Sequence, residues 1–406
     1  MTTSEHSRDF EPVPGARPRW LVVSALGIMQ IFAWGGSFYL LTIISGPITT
    51  DTGWPLPWII GSLSAGLLVA GMVSPAAGRA IDKRGGRFVL ALSSPLLAAG
   101  LVVIGFAQSL PVFIAGWLIM GLGMGSGLYD AAFSTLGQIY RTRARTAITA
   151  LTLWGGFSST VSWPLTAWLV DQVGWRGACF AYAGIQMLVC LPLVLTLIPR
   201  PPVNVPRDDV QTIASDSPLS RTESRQFLLL ALAFMTAGTT FSILTIHLLV
   251  LLQAQGVTLE SAVLLGTLIG PAQVAGRIVE MSNRGRHHPL WTLTAAIILI
   301  ASGLILLATG FAVIGVALIL YGAGNGIFSI ARGTVPLALF GPDRYAIVMG
   351  RLARPALLAQ ALAPVLAAWF LNVRSPDAVL NIIAVLALFN ALVVASLWLV
   401  VRHYRS

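Results

Sequence analysis

Three side chains combine reactive chemistry with an apolar setting: Asp130, Arg332 and Arg354. Asp130 is the one carboxylate well inside an apolar run (112–138), Arg332 lies toward the end of another (313–339), and Arg354 follows the start of the next (346–371). At 1.5 Å per helical residue all three sit roughly 12 Å deep, at one level. Ionisable groups at that depth cost several kcal/mol unless they face a cavity or each other. Arg332 therefore reads as the main anchor for an anionic group on a substrate and Arg354 as a second, with Asp130 their counter-ion or a proton site. The competing reading is a fixed Asp130–arginine salt bridge that only ties helices together. Arg351, one turn from Arg354, either joins the anion site or snorkels to the headgroups. His247 has the chemistry to carry a coupled proton, against a role as a hydrogen-bonded packing residue. Gln30, Trp34 and Ser37 share one helical face, with Tyr39 close by, and read as the lining of a cavity; Asn325 adds a further polar group. Tight polar packing is the alternative for Gln30 and Asn325.

Such residues need membrane helices to position them. Hydrophobic residues make up 56% of the 406 and charged residues 10%, a balance that excludes a soluble globular domain. Spanning about 30 Å of hydrocarbon takes about 20 apolar residues. Such runs occur at 20–46, 57–80, 88–107, 112–138, 146–170, 176–198, 226–253, 258–280, 290–310, 313–339, 346–371 and 378–401. The 25 basic residues set the orientation. With both termini cytoplasmic, clusters such as Lys83, Arg87, Arg141, Arg143, Arg145, Arg277 and Arg402 lie at the cytoplasmic face. Arg176 and Arg374 alone then fall outside, and Arg332 and Arg354 stay within the membrane. The formal charge of +10 is thus topological; each basic cluster punctuates a helix end, so no nucleic-acid partner is implied. Met1 to Arg19 is polar and leads into a full-length helix, which argues against a cleaved signal peptide. Cys179 and Cys190 sit in one helix and read as packing residues, not as a disulfide or metal site.

The polar stretch 200–225 divides the chain into an N-terminal bundle (1–199) and a C-terminal bundle (226–406), and is expected to be a cytoplasmic linker. The other loops are too short for a soluble ATPase, and no phosphate-binding Gly-x-x-x-x-Gly-Lys-Ser/Thr run occurs. Between the second and third runs lies Gly78-Arg-Ala-Ile-Asp82-Lys-Arg-Gly85-Gly-Arg87, and between the eighth and ninth a degraded copy, Gly276-Arg-Ile-Val-Glu280-Met-Ser-Asn-Arg284-Gly-Arg286. Likewise Gly123-Met-Gly-Ser-Gly127 aligns with Gly322-Ala-Gly-Asn-Gly326, where alternate glycines let helices approach closely. Pro75, Pro164, Pro271, Pro355 and Pro364 interrupt runs that would bend or rock.

The loop and its weaker copy resemble the signature of the major facilitator superfamily over essentially the whole chain. That resemblance implies an all-α membrane protein of twelve helices in two pseudo-symmetric six-helix bundles, whose fourth and tenth helices line a central cavity. In it Gly78, Asp82, Arg87 and Glu280 would act in gating, through contacts across the seam between the halves that stabilise the outward-open state. Gly121-x-Gly123-x-Gly125-x-x-x-Tyr129, Arg143-x-Arg145-x-Ala147-Ile148, Gly155-Gly156, Pro164 and Gly174-Trp175-Arg176 look like the monocarboxylate and oxalate/formate branch. Members of that branch carry cations in the eighth and eleventh helices. Arg354 or Arg351 matches the latter, but the eighth run offers mid-helix only Gln273, so Arg332 takes over as the second cation. The expected function is a proton-coupled secondary carrier of a small organic anion in the bacterial inner membrane, monomeric, with no cofactor and no enzymatic activity. An exporter of drugs or toxic compounds is the first alternative, although Trp117 and Trp163-Pro164 depart from the drug-antiporter pattern. A non-transporting receptor is a more remote one.

Overall fold

In lipid, backbone N–H and C=O groups find partners only within a helix or a closed barrel, so apolar runs of this length become helices. The computed structural model describes residues 18–200, 219–282, 286–310 and 313–403. Arg8, Arg17, Arg207, Arg284, Arg405 and most of the linker lie outside them. Among the described residues nine continuous helical stretches are long and apolar enough to cross a membrane. Two of these turn back on themselves at Gly174 (φ 72°) and Gly341 (φ 70°), a left-handed backbone that side chains with a Cβ avoid. A 3-10 turn at Arg141–Arg143 makes a third corner. Divided there, the chain forms twelve helices: α1 (Arg19–Thr52), α2 (Leu56–Arg84), α3 (Gly86–Phe106), α4 (110–140), α5 (144–173), α6 (175–197), α7 (Arg221–Ala254), α8 (Leu259–Ser282), α9 (Pro289–Ala308), α10 (314–340), α11 (342–373) and α12 (Pro376–His403). Helix α7 starts ahead of its apolar run because Ser220 and Glu223 form a reciprocal capping box.

The alternate glycines clamp each half. In α4, Gly121 and Gly125 face the carbonyls of Gly66 and Ala70 on α2, while Gly123 faces Leu97 on α3. In α10, Gly322 and Gly326 face Ile269 and Gln273 on α8, while Gly324 faces Ala296 on α9. Gly322 is therefore the counterpart of Gly121, not of Gly123 as the sequence alignment has it. A slip of two residues preserves the glycine pattern but exchanges the partner helices.

The end of the bundle carrying residues 200 and 219 is called here the linker face. There the halves meet closely: Arg141 pairs with Asp343 at 2.5 Å, and Arg145 Nη1 donates to the carbonyl of His287 at 2.6 Å. Toward the opposite face, a ring contact of 6.0 Å between Phe38 of α1 and Phe241 of α7 joins them.

Candidate functional site

Helix α4 is not the uninterrupted span read from 112–138. It breaks at Leu128, whose backbone is extended (ψ −170°), and restarts at Tyr129. The break frees the Gly127 carbonyl, which accepts a hydrogen bond from Gln30 Nε2 at 2.7 Å. Gln30 is fully buried and does not line the cavity; it braces the break. Asp130 thereby sits in the first turn of a new helix, where the positive end of the helix dipole favours a carboxylate.

Across the seam, Arg332 of α10 grips Asp130 with both arms of its fork, Nε to Oδ1 at 3.0 Å and Nη2 to Oδ2 at 2.7 Å. The pair borders a cavity of about 120 Å³ between the halves. Arg277 of α8 is the second cation on that wall. Sequence reasoning placed it among the loop cations at the membrane face, but α8 continues to Ser282 and Arg277 is only 6% exposed. Its Nε donates to Ser329 Oγ at 3.0 Å, and Ser329 in turn donates to the Gly326 carbonyl at 2.6 Å, which ties the guanidinium to α10 about one turn before Arg332.

Gly155 and Gly156 of α5 explain how Arg277 and Tyr129 fit. A Cβ on Gly155 would overlap Tyr129 Oη, and one on Gly156 would overlap Arg277 Nη1. Both polar atoms are buried without a hydrogen-bond partner, as is Trp34 Nε1. The rings of Trp34 and Tyr129 lie 5.5 Å apart, Tyr129 stacks on Phe133 at 5.0 Å, and Tyr39 meets Trp163 edge-on at 6.1 Å. Three residues that line one aromatic cavity thus each hold a buried donor without a partner.

The π-helical turn Gly35–Tyr39 alters the reading of α1. Trp34 and Tyr39 line the cavity, whereas Ser37 is fully buried and bonds back to the Ala33 carbonyl at 2.5 Å. Asn325 lines the cavity as well, joined by Gln273 and Gln360. Arg354 and Arg351 do not: both side chains are exposed, because α11 presents Leu357 and Gln360 to the cavity and packs the Arg354 carbonyl on Gly71 of α2. His247 is also outside the lining, with Nε2 3.0 Å from the Pro364 carbonyl.

The signature-loop residues separate too. Gly78 lets α2 touch α11, its absent Cβ leaving room for the Ala346 carbonyl and the Gly350 backbone. Gly276 instead meets the Ala323 carbonyl within its own half, so it is not a structural copy of Gly78. Asp82 is buried, and Arg87 donates to the Leu195 and Ile198 carbonyls, capping α6 in its own half. Glu280 accepts from Thr292 Oγ1 at 2.7 Å and meets His287 Nε2 at 3.1 Å.

Two helical halves around a cavity walled by charged and aromatic groups define a membrane carrier fold. The sequence profile of the Major Facilitator Superfamily matches residues 26–353, and the chain belongs to that family, whose members are transporters and not enzymes. It is 27% identical over 250 residues to monocarboxylate transporter 13 of Bos taurus, covering 58% of this chain and 56% of that one. To the oxalate:formate antiporter of Oxalobacter formigenes it is 23% identical over 183 residues, 45% and 43% of the two chains. The chain thus spans about half the length of these relatives. Among solved structures, the human organic anion transporter MFSD10 superposes with a TM-score of 0.74 over 93% of this chain and 100% of that one, at 18% identity.

Sequence reasoning missed Arg277, Tyr129 and the Gly155-Gly156 seat. The signal was present in part: a tyrosine stands beside the deep aspartate, and a glycine pair interrupts α5 at the matching depth.

Proposed function

We propose that the chain is a secondary active carrier that moves a small organic anion across the bacterial inner membrane by alternating access, coupled to protons, with both termini in the cytoplasm. The observation that carries this reading is that three residues lining one cavity, Arg277, Tyr129 and Trp34, each hold a buried donor without a partner, Nη1, Oη and Nε1. Unpaired buried donors are expensive, and a substrate carboxylate would satisfy them with charge-assisted bonds. A cavity of about 120 Å³ suits a small solute; pockets for drug-sized ligands run to about 300–1,000 Å³. The monocarboxylate and oxalate:formate relatives point to the same substrate class.

In this reading the anion binds Arg277 while the halves are joined at the linker face. Opening that face requires Gly78 and Gly350 to part and the Arg141–Asp343 contact to break. Asp130–Arg332 also bridges the halves, so a proton on Asp130 would release Arg332 and favour the rearrangement.

Counterflow in proteoliposomes with panels of anionic and cationic solutes, at two pH values, tests the proposal. Small carboxylates should exchange, Arg277→Gln should abolish the exchange, and Arg277→Lys, lacking the planar fork, should retain part of it. Accumulation of cationic dyes alone would overturn it.

A further inference from the structure

The charged side chains that line the cavity are, among the described residues, Asp130, Arg277 and Arg332. They are not equivalent. Both carboxylate oxygens of Asp130 are engaged by Arg332, at 3.0 and 2.7 Å, so this pair adds no net charge to the cavity. Arg277 has a neutral partner, Ser329, and its Nη1 has none. The lining residues therefore carry one uncompensated positive charge, that of Arg277, together with Tyr129 and Trp34, whose donors are unpaired.

We propose that Asp130 sets the number of negative charges the cavity accepts: by neutralising Arg332 it selects monoanions and rejects dianions. This rests on the anion-carrier reading above and adds a selectivity rule to it. A monocarboxylate at Arg277 leaves the lining electrically balanced. A dicarboxylate would place its second carboxylate in a partly desolvated site whose other guanidinium is already held, close to Asp130 itself, and like charges at such range repel strongly. Asp130 is thus a specificity-determining residue that acts by occupying Arg332, without having to touch the substrate.

The rule predicts a four-way pattern that a purely structural salt bridge would not produce. Butyrate and malonate are suitable probes, since they are close in size and near neutral pH differ by one charge. Uptake and competition would be measured in proteoliposomes for the wild type, Asp130→Asn, Arg332→Gln and the double variant. The wild type should favour butyrate by about tenfold or more. Asp130→Asn, with both arginines uncompensated, should reverse that preference toward malonate. Arg332→Gln leaves Asp130 and Arg277 as the charges of the lining, which is then neutral, and both anions should be lost. The double variant keeps Arg277 as its single charge and should again favour butyrate, which tests the rule even if the single variants fold poorly. An unchanged butyrate-to-malonate ratio in Asp130→Asn, or a preference for malonate in the double variant, would refute the charge rule while leaving the anion carrier standing. Uptake of neither anion by the wild type would remove both.

Discussion

Gly350 of α11 lies against α2 so closely that a Cβ there would come within 2.5 Å of the Ser74 carbonyl and 3.1 Å of the Gly78 Cα. This backbone-to-backbone seam closes the linker face, and no flexible side chain is available to yield. Gly350→Val should therefore bias the carrier away from the state seen here. A cysteine placed on the cavity wall in a cysteine-free background should become reactive from the linker side, with reduced turnover. Unchanged accessibility and turnover would show that the seam does not gate.

The glycine pair of α5 gives a milder test of the site. Gly155→Ala and Gly156→Ala each place a methyl where Tyr129 Oη or Arg277 Nη1 now rests, so that the Tyr129 ring must shift along its stack on Phe133 or the flexible Arg277 side chain must swing aside. The expected result is a raised substrate KM with little loss of thermal stability, larger for Gly156→Ala because it displaces the cation. A large fall in melting temperature with unchanged KM would assign the pair to helix packing alone.

Much of the scaffold was legible because membrane helices follow from apolar length, and corners from charge clusters and glycines. Asp130 and Arg332 stood out for the same reason: a charge deep in an apolar run must have a partner. Arg277 was hidden because it stands three residues from the end of its apolar run, among the basic residues of the degraded loop, where depth reads as a membrane-face cation and rotation toward the cavity is not legible. Arg354 was misplaced by the complementary error, since depth along α11 is readable but rotation about its axis is not. Neither the Leu128 break nor the π turn at Gly35–Tyr39 carries a proline, so both escaped a reading based on regular helical spacing.

Gln30 is predicted to matter without touching substrate. Gln30→Leu removes the donor to the Gly127 carbonyl and leaves that oxygen buried and unsatisfied, at a cost of about 1–3 kcal/mol. Thermal unfolding should shift downward and substrate affinity should fall with it, since the break positions both Tyr129 and Asp130. Full affinity in a destabilised protein would separate the brace from the site.

Topology is testable with fusions. Because basic clusters crowd the linker face, a reporter fused after Arg402 should be active when it requires the cytoplasm and silent when it requires export. The opposite pattern would invert the carrier in the membrane and exchange the roles assigned to its two faces.

His247 separates two routes for the proposed proton coupling. Its Nε2 lies 3.0 Å from the Pro364 carbonyl, joining α7 to the proline-interrupted stretch of α11, and it is not part of the cavity wall. Pro364 lacks an amide hydrogen and so frees the Gln360 carbonyl, which Ser242 Oγ satisfies at 2.8 Å, while His247 adds a second contact between α7 and this stretch of α11. On that basis His247→Gln, which keeps a donor but cannot titrate near neutrality, should transport with the wild-type pH profile. His247→Leu should lower stability, yet the molecules that fold should still concentrate substrate along a proton gradient. Asp130→Asn should behave differently, exchanging substrate while failing to accumulate it. If His247→Gln loses gradient-driven accumulation but keeps exchange, the histidine carries the proton and Asp130 is left with its electrostatic role alone.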